Sequence, residues 1–364
     1  MLYPYKMLPV YKDYIWGGHN LKRLGKATPD GRVAESWELS CIQGSESKIA
    51  NGPLEGQNLT DVIKKYGERI LGKEFAPSSQ DMGMPLLLKY IDANDRLSIQ
   101  VHPDDEYARE QEGGKKGKTE MWYIIDAKPG ATVIHGFAEG YGKEKIRQAI
   151  LERKHRDLYR KVNVKKGDVV FVPAGTVHAL NDGLVVAEVQ QHSDLTYRLF
   201  DYDRTDVTGK KRPLHIDKAL DVLEYENHKP LYQGLLVDRD KIKSRYLVIS
   251  KYFCVRQIEG KGMPIQLTAD GSFSVFMFIN GEAEITAGRE KVRAGALETI
   301  FIPAYMGDYT IDGVFSALEV FVPDSAVNVY TYLINKGYPK DDILKNIAGV
   351  EGLGLNLGPV RESA

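Results

Sequence analysis

Residues 167–178 read Gly-Asp-Val-Val-Phe-Val-Pro-Ala-Gly-Thr-Val-His, a short apolar run between a glycine and a proline that leads to a histidine. Runs of this kind, rich in Val and Phe and ended by Gly or Pro, are typical of strands. The run has a counterpart, because Phe171-Val-Pro-Ala returns as Phe301-Ile-Pro-Ala, each copy after a glycine and each with an aromatic-rich run upstream, at 121–125 and 275–279. Two copies of one β unit indicate a duplicated barrel.

The rest of the chain predicts a mainly β fold with a few peripheral helices. Helical patterns occupy residues 58–71, which open on an N-capping asparagine, and residues 143–153. Residues 324–349 predict two further short helices joined by a turn. The Asn-Gly pair at 280–281 lies between two apolar runs and predicts a hairpin turn.

Composition and charge restrict the class of protein. The 364 residues are enough for two domains, and the 49 basic against 50 acidic side chains leave no basic surplus for binding nucleic acid. No apolar run is long enough for a membrane helix, and the first residues lack the features of a signal peptide. Cys41 and Cys254 lie in separate apolar runs and form no zinc-type spacing. We therefore expect a cytoplasmic monomer or homodimer with no nucleic acid or membrane partner.

Residues with metal-ligand chemistry lie near the first copy of the β unit. Residues 97–105 alternate between apolar and polar, so a strand there directs Gln100 and His102 to one face and their apolar neighbours to the other. Glu120 opens the aromatic-rich strand, and His178 ends the quoted stretch. An amide oxygen, two imidazoles and a carboxylate suit Zn²⁺, with Mn²⁺, Fe²⁺ or Co²⁺ as alternatives.

Each of these residues also has a purely structural interpretation. A single histidine in a strand is commonly a hydrogen-bonded core or surface residue, and the remaining histidines of the chain are assigned to that class. Glu120 could be a solvated strand end, and Gln100 could bond the backbone. The second copy of the β unit carries Asp308 where the first has His178, and no histidine follows His228. Only the first copy therefore offers a histidine-ligated metal site.

The quoted stretch also fits the second sequence motif of the cupin superfamily, which reads Gly, five residues, Pro, one, Gly, two, His. The Asn that this motif expects four residues later comes here at three, as Asn181, and the His-x-His of the first cupin motif is not matched. Instead, Gln100-x-His102 followed by Glu120 resembles the type I phosphomannose isomerase family in its compact prokaryotic form. The resemblance extends over most of the chain up to the second half, through the segments 34–37, 88–89, 98–103, 118–121 and 194–198.

This resemblance implies two cupin (jelly-roll β-barrel) domains. We place the catalytic barrel with the metal site at 1–235, a degenerate second barrel at 236–323, and a helical tail at 324–364. The resemblance further implies zinc, or another divalent metal, bound by four residues: Gln100, His102, Glu120 and His178.

The resemblance also implies that Arg198 is essential and that Lys89 and Lys118 belong to the active site, Lys89 as a substrate-binding residue. Some members of the family carry a histidine just before the second lysine, and this chain has Gly117 there. Any role of that histidine does not carry over.

The activity that the resemblance implies is the interconversion of mannose 6-phosphate and fructose 6-phosphate through an enediol(ate). A divalent metal and a fixed cation such as Arg198 would stabilise the negative charge that develops on oxygen. Arg198 could equally bind the substrate phosphate. The proton carrier stays open between Glu188, Lys89, Lys118 and a water molecule.

Fold alone does not define the function of a cupin, so three alternatives remain. A cupin oxygenase would leave Lys118, Glu188 and Arg198 without a task. A non-catalytic sugar-binding bicupin would bind metal without turnover. The third alternative is an isomerase that acts on another phosphosugar or on free mannose.

Overall fold

The computed structural model describes residues 2–75, 83–205, 208–239 and 242–355. In these residues the predicted mainly β architecture is confirmed, since the strands form three antiparallel sheets. The strands are β1 (Tyr5–Leu8), β2 (Val10–Lys12), β3 (Glu35–Leu39), β4 (Lys48–Ile49), β5 (Leu86–Ala93), β6 (Ile99–Val101), β7 (Glu120–Ala127), β8 (Thr132–Phe137), β9 (Tyr159–Asn163), β10 (Val169–Val172), β11 (His178–Leu180), β12 (Leu184–Gln191), β13 (Tyr197–Phe200), β14 (Leu231–Tyr232), β15 (Leu235–Arg239), β16 (Ile242–Ile249), β17 (Cys254–Lys261), β18 (Ile265–Ala269), β19 (Ser274–Ala287), β20 (Glu290–Ala294), β21 (Thr299–Ile302) and β22 (Gly307–Phe321).

Short helices surround the sheets. The α-helices are α1 (Asn20–Arg23), α2 (Leu59–Tyr66), α3 (Glu68–Leu71), α4 (Asp105–Gln111), α5 (Lys143–Leu151), α6 (Ile216–Val222), α7 (Ala326–Asn335) and α8 (Lys340–Asn346), and 3₁₀ turns cover Gly52–Leu54, Lys73–Phe75 and Val350–Leu353. No helix within the described ranges combines the length and the apolar character that crossing a bilayer requires.

The helix predictions are largely confirmed. Helix α5 forms within the predicted segment 143–153, and α7 and α8 form within 324–349. The helix predicted over 58–71 is interrupted, because Gly67 takes φ +51° between α2 and α3. A glycine in this conformation ends the run of helical hydrogen bonds, so the chain makes two short helices instead of one.

The hairpin predicted at residues 280–281 is wrong. Strand β19 continues through this pair, and a bulge shifts its register on β22 between Phe278 and Asn280. Gly281 takes φ +77°, which a bulge accommodates as readily as a turn does. The chain reverses instead after Ala287, where β19 pairs with β20.

The first barrel is built from two sheets that face each other. The seven-stranded sheet has the order β14-β10-β7-β12-β5-β3-β2, and the five-stranded sheet has the order β13-β6-β11-β8-β9. Apolar side chains of both sheets meet between them, among them Trp122 on β7 and Val133 on β8. On β6, Ile99 and Val101 pack outward against the face that α5 and α6 cover. The predicted alternation along β6 is thereby confirmed, and Gln100 is left to point between the sheets.

The ten-stranded sheet forms the second barrel. Its main path is β15-β16-β17-β22-β19-β21-β1-β4, with β18 on β22 and β20 on β19. Its interior is filled by buried aromatic and aliphatic side chains, including Phe276, Phe278, Ile300, Ile311 and Phe315. Strand β1, from the start of the chain, pairs with β21 of this barrel. The domain boundaries at 235 and 323 stay predictions, and residues 356–364 of the predicted tail lie outside the described part.

The duplication predicted from the sequence is confirmed by strand pairing. Strand β10 pairs with β7 as β21 pairs with β19. In the first barrel Val172 lies opposite Glu120, and in the second Ile302 lies opposite Ser274. A serine therefore occupies the place of the candidate carboxylate ligand, in a barrel with an apolar interior.

The two barrels pack sheet against sheet. Outward-facing residues of the seven-stranded sheet, including Leu88, Met121 and Val189, belong to one buried cluster with Val275 and Val320 of the second barrel. Burying these apolar side chains between the barrels stabilises both of them, by about 25 cal/mol for each Å² of apolar surface removed from water.

A buried ion pair adds a polar link between the barrels. The Lys26 ammonium lies 2.7 Å from the Glu38 carboxylate, with side chains 4% and 1% exposed. Lys26 also donates to the Leu297 carbonyl, and Thr299 donates to the second Glu38 oxygen at 3.0 Å. Both of these partners belong to the second barrel, so the pair is fully surrounded by hydrogen-bonding groups.

Replacement of Glu38 by Gln should destabilise the protein by about 3–5 kcal/mol, because it leaves the Lys26 charge buried without a counter-charge. The midpoint of urea denaturation measures the loss. Glu284→Gln is the control, since Glu284 pairs with Lys291 at the surface and exposed pairs contribute little. Equal midpoints for the two variants would show that the buried pair does not hold the barrels together.

Candidate metal centre and active site

Three metal-ligating side chains converge between the two sheets of the first barrel. His102 follows β6, His178 opens β11 and Glu120 opens β7, so the first two come from the five-stranded sheet and the third from the seven-stranded sheet. One ligand atom from each lies within 4.8 Å of the others, and all three residues are buried. Among the described residues this is the one group of three or more His, Cys, Asp or Glu with such geometry.

The arrangement of lone pairs favours a cation at this point. The Nδ1 of His178 lies 2.8 Å from the Thr176 carbonyl, and an N–H that donates there leaves Nε2 with its lone pair. That Nε2 lies 3.3 Å from Glu120 Oε1, and His102 Nε2 lies 3.5 Å from Glu120 Oε2. Among the described residues Glu120 Oε1 has no hydrogen-bond donor, and Oε2 has only the Lys118 ammonium at 2.8 Å. Facing acceptors are mutually repulsive unless a positive charge lies between them, so these residues fit a divalent metal.

Burial governs the protonation of all three groups. Burial lowers the pKa of His178 to about 3 and lowers the pKa of His102 as well, so both imidazoles are neutral ligands. Burial also raises the pKa of Glu120, against the attraction of the Lys118 ammonium. The Glu120 carboxylate is thus held in a site that needs a nearby cation to keep it ionised.

Gln100 lies beside the three ligands on β6, directly opposite His178 on β11. Its Nε2 is 3.4 Å from His178 Nε2, and its Oε1 accepts a hydrogen bond from the Ser98 hydroxyl at 3.1 Å. In this orientation the amide nitrogen faces the centre. Rotation of the amide by 180° would present the oxygen, the atom that coordinates a metal.

Lys118 supplies a positive charge at the edge of the centre. Its Nζ lies 2.8 Å from Glu120 Oε2 and 3.1 Å from His102 Nε2, and the side chain is 5% exposed. The lysine and the glutamate are two residues apart, and the backbone turn before β7 places both side chains on the same side.

A second buried ionic cluster lies on the adjoining strands of the same sheet. Lys89 on β5 lies opposite Glu188 on β12, and their side chains pair at 2.9 Å. Lys89 also lies 3.6 Å from Glu35, while the Trp122 indole donates to Glu188 at 2.9 Å and the Trp37 indole to Glu35 at 2.6 Å. Each carboxylate therefore has one cationic and one indole partner.

The charges in this cluster stabilise one another. Burial alone would raise the pKa of Glu188, but the Lys89 and Lys118 cations outweigh it and lower that pKa. Burial opposes the charge on Lys89, and Glu188 and Glu35 together raise its pKa. Glu188 is accordingly ionised and Lys89 protonated at neutral pH.

Arg198 lies on β13, directly opposite Gln100. Its Nε is buried without a hydrogen-bond partner in the described ranges, and no ion pair is formed by its guanidinium there. Burial and the charge of Arg212 lower its pKa, although a guanidinium stays protonated at any physiological pH. Arg198 thus offers an unpaired cation one strand away from the metal ligands.

The structure therefore brings all eight predicted site residues to one barrel. The sequence interpretation missed Glu35, Trp37 and Trp122, whose side chains complete the Lys89–Glu188 cluster. Glu35 and Trp37 belong to segment 34–37, on which the family resemblance partly depends. That segment was the sequence signal that could have identified them as site residues. The structural interpretation of His135 holds, since its Nε2 bonds the Phe171 carbonyl at 2.9 Å.

Fold and site together define a class: a two-barrel cupin protein with a buried group of histidine and carboxylate side chains that fits a divalent metal. Comparison with known families is more specific. Residues 5–123 match the catalytic domain of phosphomannose isomerase type I, and residues 243–322 match the cupin domain of mannose-6-phosphate isomerase.

Individual relatives agree with these matches. A probable mannose-6-phosphate isomerase of Bacillus subtilis is 37% identical over 317 residues, 86% of this chain and 97% of the relative. A mannose-6-phosphate isomerase of Streptococcus mutans is 36% identical over 303 residues, 82% and 92% of the two chains. The crystal structure of mannose 6-phosphate isomerase from Bacillus subtilis superposes with a TM-score of 0.80 at 34% identity, covering 87% of this chain and 99% of that one. The chain belongs to the type I phosphomannose isomerase family.

Replacement of Glu120 by Gln should abolish stable metal binding, because it removes the only carboxylate among the three converging ligands. The check is the metal content of purified protein after dialysis against a weak chelator, measured by mass spectrometry. His228→Gln is the matched control, since His228 is 38% exposed and pairs with Glu224 away from the centre. Equimolar metal retained by Glu120→Gln would show that the ion binds elsewhere.

Proposed function

We propose that this protein interconverts mannose 6-phosphate and fructose 6-phosphate, as a cytoplasmic metal-dependent aldose–ketose isomerase. The observation that supports this most directly is the buried His102–Glu120–His178 group flanked by Lys118, Glu188 and Arg198 in a chain of the phosphomannose isomerase family. We propose Zn²⁺ as the resident metal, because two neutral imidazoles and a carboxylate are a donor set that zinc favours. The assembly would be a monomer or a homodimer.

The reaction moves a proton between C1 and C2 of the sugar through an enediol(ate). When bound, a divalent ion supplies Lewis-acid stabilisation of the negative charge on the substrate oxygens. His102, Glu120 and His178 would hold it, with Gln100 as a fourth ligand once its amide oxygen faces the centre. Their almost complete exclusion from solvent strengthens every electrostatic interaction with the substrate.

Arg198, Lys118 and Glu188 are the proposed catalytic residues. Arg198 has no ion pair among the described residues and its Nε has no hydrogen-bond partner there, so its guanidinium can stabilise an oxyanion or bind phosphate. Glu188 is ionised and therefore able to accept a proton, while Lys118 adjoins the ligand atoms and is able to donate one. The pair forms a proton donor just before β7 and a proton acceptor on the adjoining strand β12.

Lys89 has a different part in this proposal. Its raised pKa makes it a poor base, and Glu188 and Glu35 already contact its ammonium. An ammonium has three donors, so one is left to bind a substrate hydroxyl. We propose that Lys89 binds the sugar in this way and keeps Glu188 ionised.

The same side chains weigh against the alternatives. An oxygenase or a non-catalytic sugar-binding bicupin would gain nothing from two buried lysines and a partly buried arginine beside the candidate metal ligands, since buried charges are costly unless they serve a purpose. An isomerase for another phosphosugar or for free mannose would use the same centre, so only substrate comparison separates it from the proposed one.

A coupled assay should detect conversion of mannose 6-phosphate to fructose 6-phosphate, with loss of activity on chelation and recovery on adding Zn²⁺. Unphosphorylated mannose should be inert under the same conditions. Absence of turnover by folded, metal-loaded protein would refute the isomerase assignment and leave a metal cupin of other function.

Lys89→Met should move the acid limb of the kcat/KM profile to higher pH. Lys89 is the strongest factor that lowers the pKa of Glu188, so its loss raises that pKa and protonates the carboxylate at a higher pH. Lys89→Arg keeps the charge and should keep the limb near its original position. An unshifted limb in Lys89→Met would mean that Glu188 is not the group whose ionisation limits the reaction.

A further inference from the structure

Two arginines bind one carboxylate at the edge of the first barrel, and a third arginine lies nearby. Asp201, immediately after β13, has a side chain that is 6% exposed. It accepts a hydrogen bond from Arg204 Nη2 at 2.7 Å and two from Arg212, from Nε at 2.8 Å and from Nη2 at 2.6 Å. Arg198 lies three residues before Asp201 on the same strand. The three arginines outnumber the two carboxylates that pair with them, Asp95 and Asp201, which leaves a local surplus of positive charge.

Arg204 and Arg212 differ in how many of their guanidinium N–H donors remain unused. Arg204 donates from all three of its guanidinium nitrogens, to Asp201, to the Arg96 carbonyl and to Asp95, and its side chain is 15% exposed. Arg212 uses two nitrogens on Asp201, and within the described ranges its Nη1 makes no hydrogen bond; the side chain is 30% exposed. Arg204 is therefore a structural residue, whereas Arg212 is oriented and still has donors free.

The backbone places Arg212 beside Arg198. Residues 211–215 return along β13, since the His215 amide donates to the Arg198 carbonyl at 2.9 Å and the Arg198 amide donates to His215 Nδ1 at 3.2 Å. The charge of Arg212 contributes to lowering the pKa of Arg198, after the larger effect of burial. The partly exposed phenol of Tyr14 lies in the field of the same two arginines and of Lys89.

We propose that Arg212, oriented by Asp201, binds the 6-phosphate of the substrate together with Arg198 and sets the preference for phosphorylated over unphosphorylated sugar. This inference rests on the proposed function. A dianionic phosphate would neutralise the surplus charge, and a guanidinium fixed by a carboxylate presents its remaining N–H groups without further ordering. Asp201 is a positioning residue, because it acts through Arg212.

The position suits a substrate whose phosphate is remote from its reacting carbons. Arg198 is one strand away from Gln100, a step of about 4.8 Å, and the arginine side chain adds its own length. The Arg198–Arg212 pair thus lies beside the candidate metal ligands on the same sheet. A six-carbon sugar with its carbonyl at the ligands would direct the phosphate at its other end towards the arginines.

Steady-state kinetics and binding together test the proposal on the metal-loaded protein. Arg212→Gln should raise KM for mannose 6-phosphate about 10- to 100-fold, the loss of one or two charge-assisted hydrogen bonds, with a much smaller change in kcat. Arg212→Lys should recover part of this loss. Arg204→Gln is the matched control, since it contacts the same carboxylate: its thermal midpoint should fall while KM stays near the wild-type value.

Calorimetric titration with mannitol 6-phosphate, which lacks the carbonyl, measures binding without turnover. The Arg212→Gln variant should bind it more weakly by a factor similar to the change in KM. If wild-type protein shows no isomerisation but Arg212→Gln still weakens this binding, the phosphate subsite stands and the proposed function fails. If wild-type protein isomerises and Arg212→Gln leaves both KM and this binding unchanged, the subsite is overturned and the function stands.

Discussion

The burial of Glu120 between two neutral histidines is the constraint on which the first barrel depends. A carboxylate taken out of water is stable in its ionised form only beside positive charge. Lys118 at 2.8 Å supplies part of that charge, and the geometry of the three ligands leaves room for a cation to supply the rest. The neighbouring Glu188 is stabilised in the same way, by the Lys89 ammonium and by a hydrogen bond from the Trp122 indole. Within the described residues, each buried carboxylate of this site has a lysine beside it: Lys118 for Glu120, and Lys89 for both Glu188 and Glu35.

The second barrel has the same fold as the first but a different interior. Its strands repeat the pairing of the first, yet Ser274 replaces Glu120 and the space between its strands is filled by Phe276, Phe278 and Phe315. Such a core needs no metal and tolerates no empty volume. One copy of the duplicated unit thus has a polar interior that holds the candidate site, and the other has an apolar core.

Local patterns in the sequence were sufficient to predict a mainly β fold and to place Gln100 inside the first barrel. The alternation around Gln100 assigned it to the interior, and the repeated Phe-x-Pro-Ala segment revealed the duplication. The same kind of evidence failed at residues 280–281, because an Asn-Gly pair has the same backbone preference in a bulge as in a turn, and only the continuous pairing of β19 with β22 decides between them. Glu35 and Arg212 could not be assigned because their partners, Lys89 and Asp201, are set by tertiary contacts that no local pattern records.

The site residues of the first barrel come from both of its sheets, and each sheet is covered on its outer face. Glu120, Glu188 and Lys89 belong to the seven-stranded sheet, whereas His178, Gln100 and Arg198 belong to the five-stranded one. The distance between the two sheets therefore sets the distance from Glu120 to the candidate ligands on the opposite sheet. The second barrel packs on the outer face of the first sheet, and α5 and α6 cover the outer face of the other. Because close-packed interiors resist compression, this outer packing fixes the spacing of the two sheets, and with it the distance between the candidate metal ligands on one sheet and those on the other.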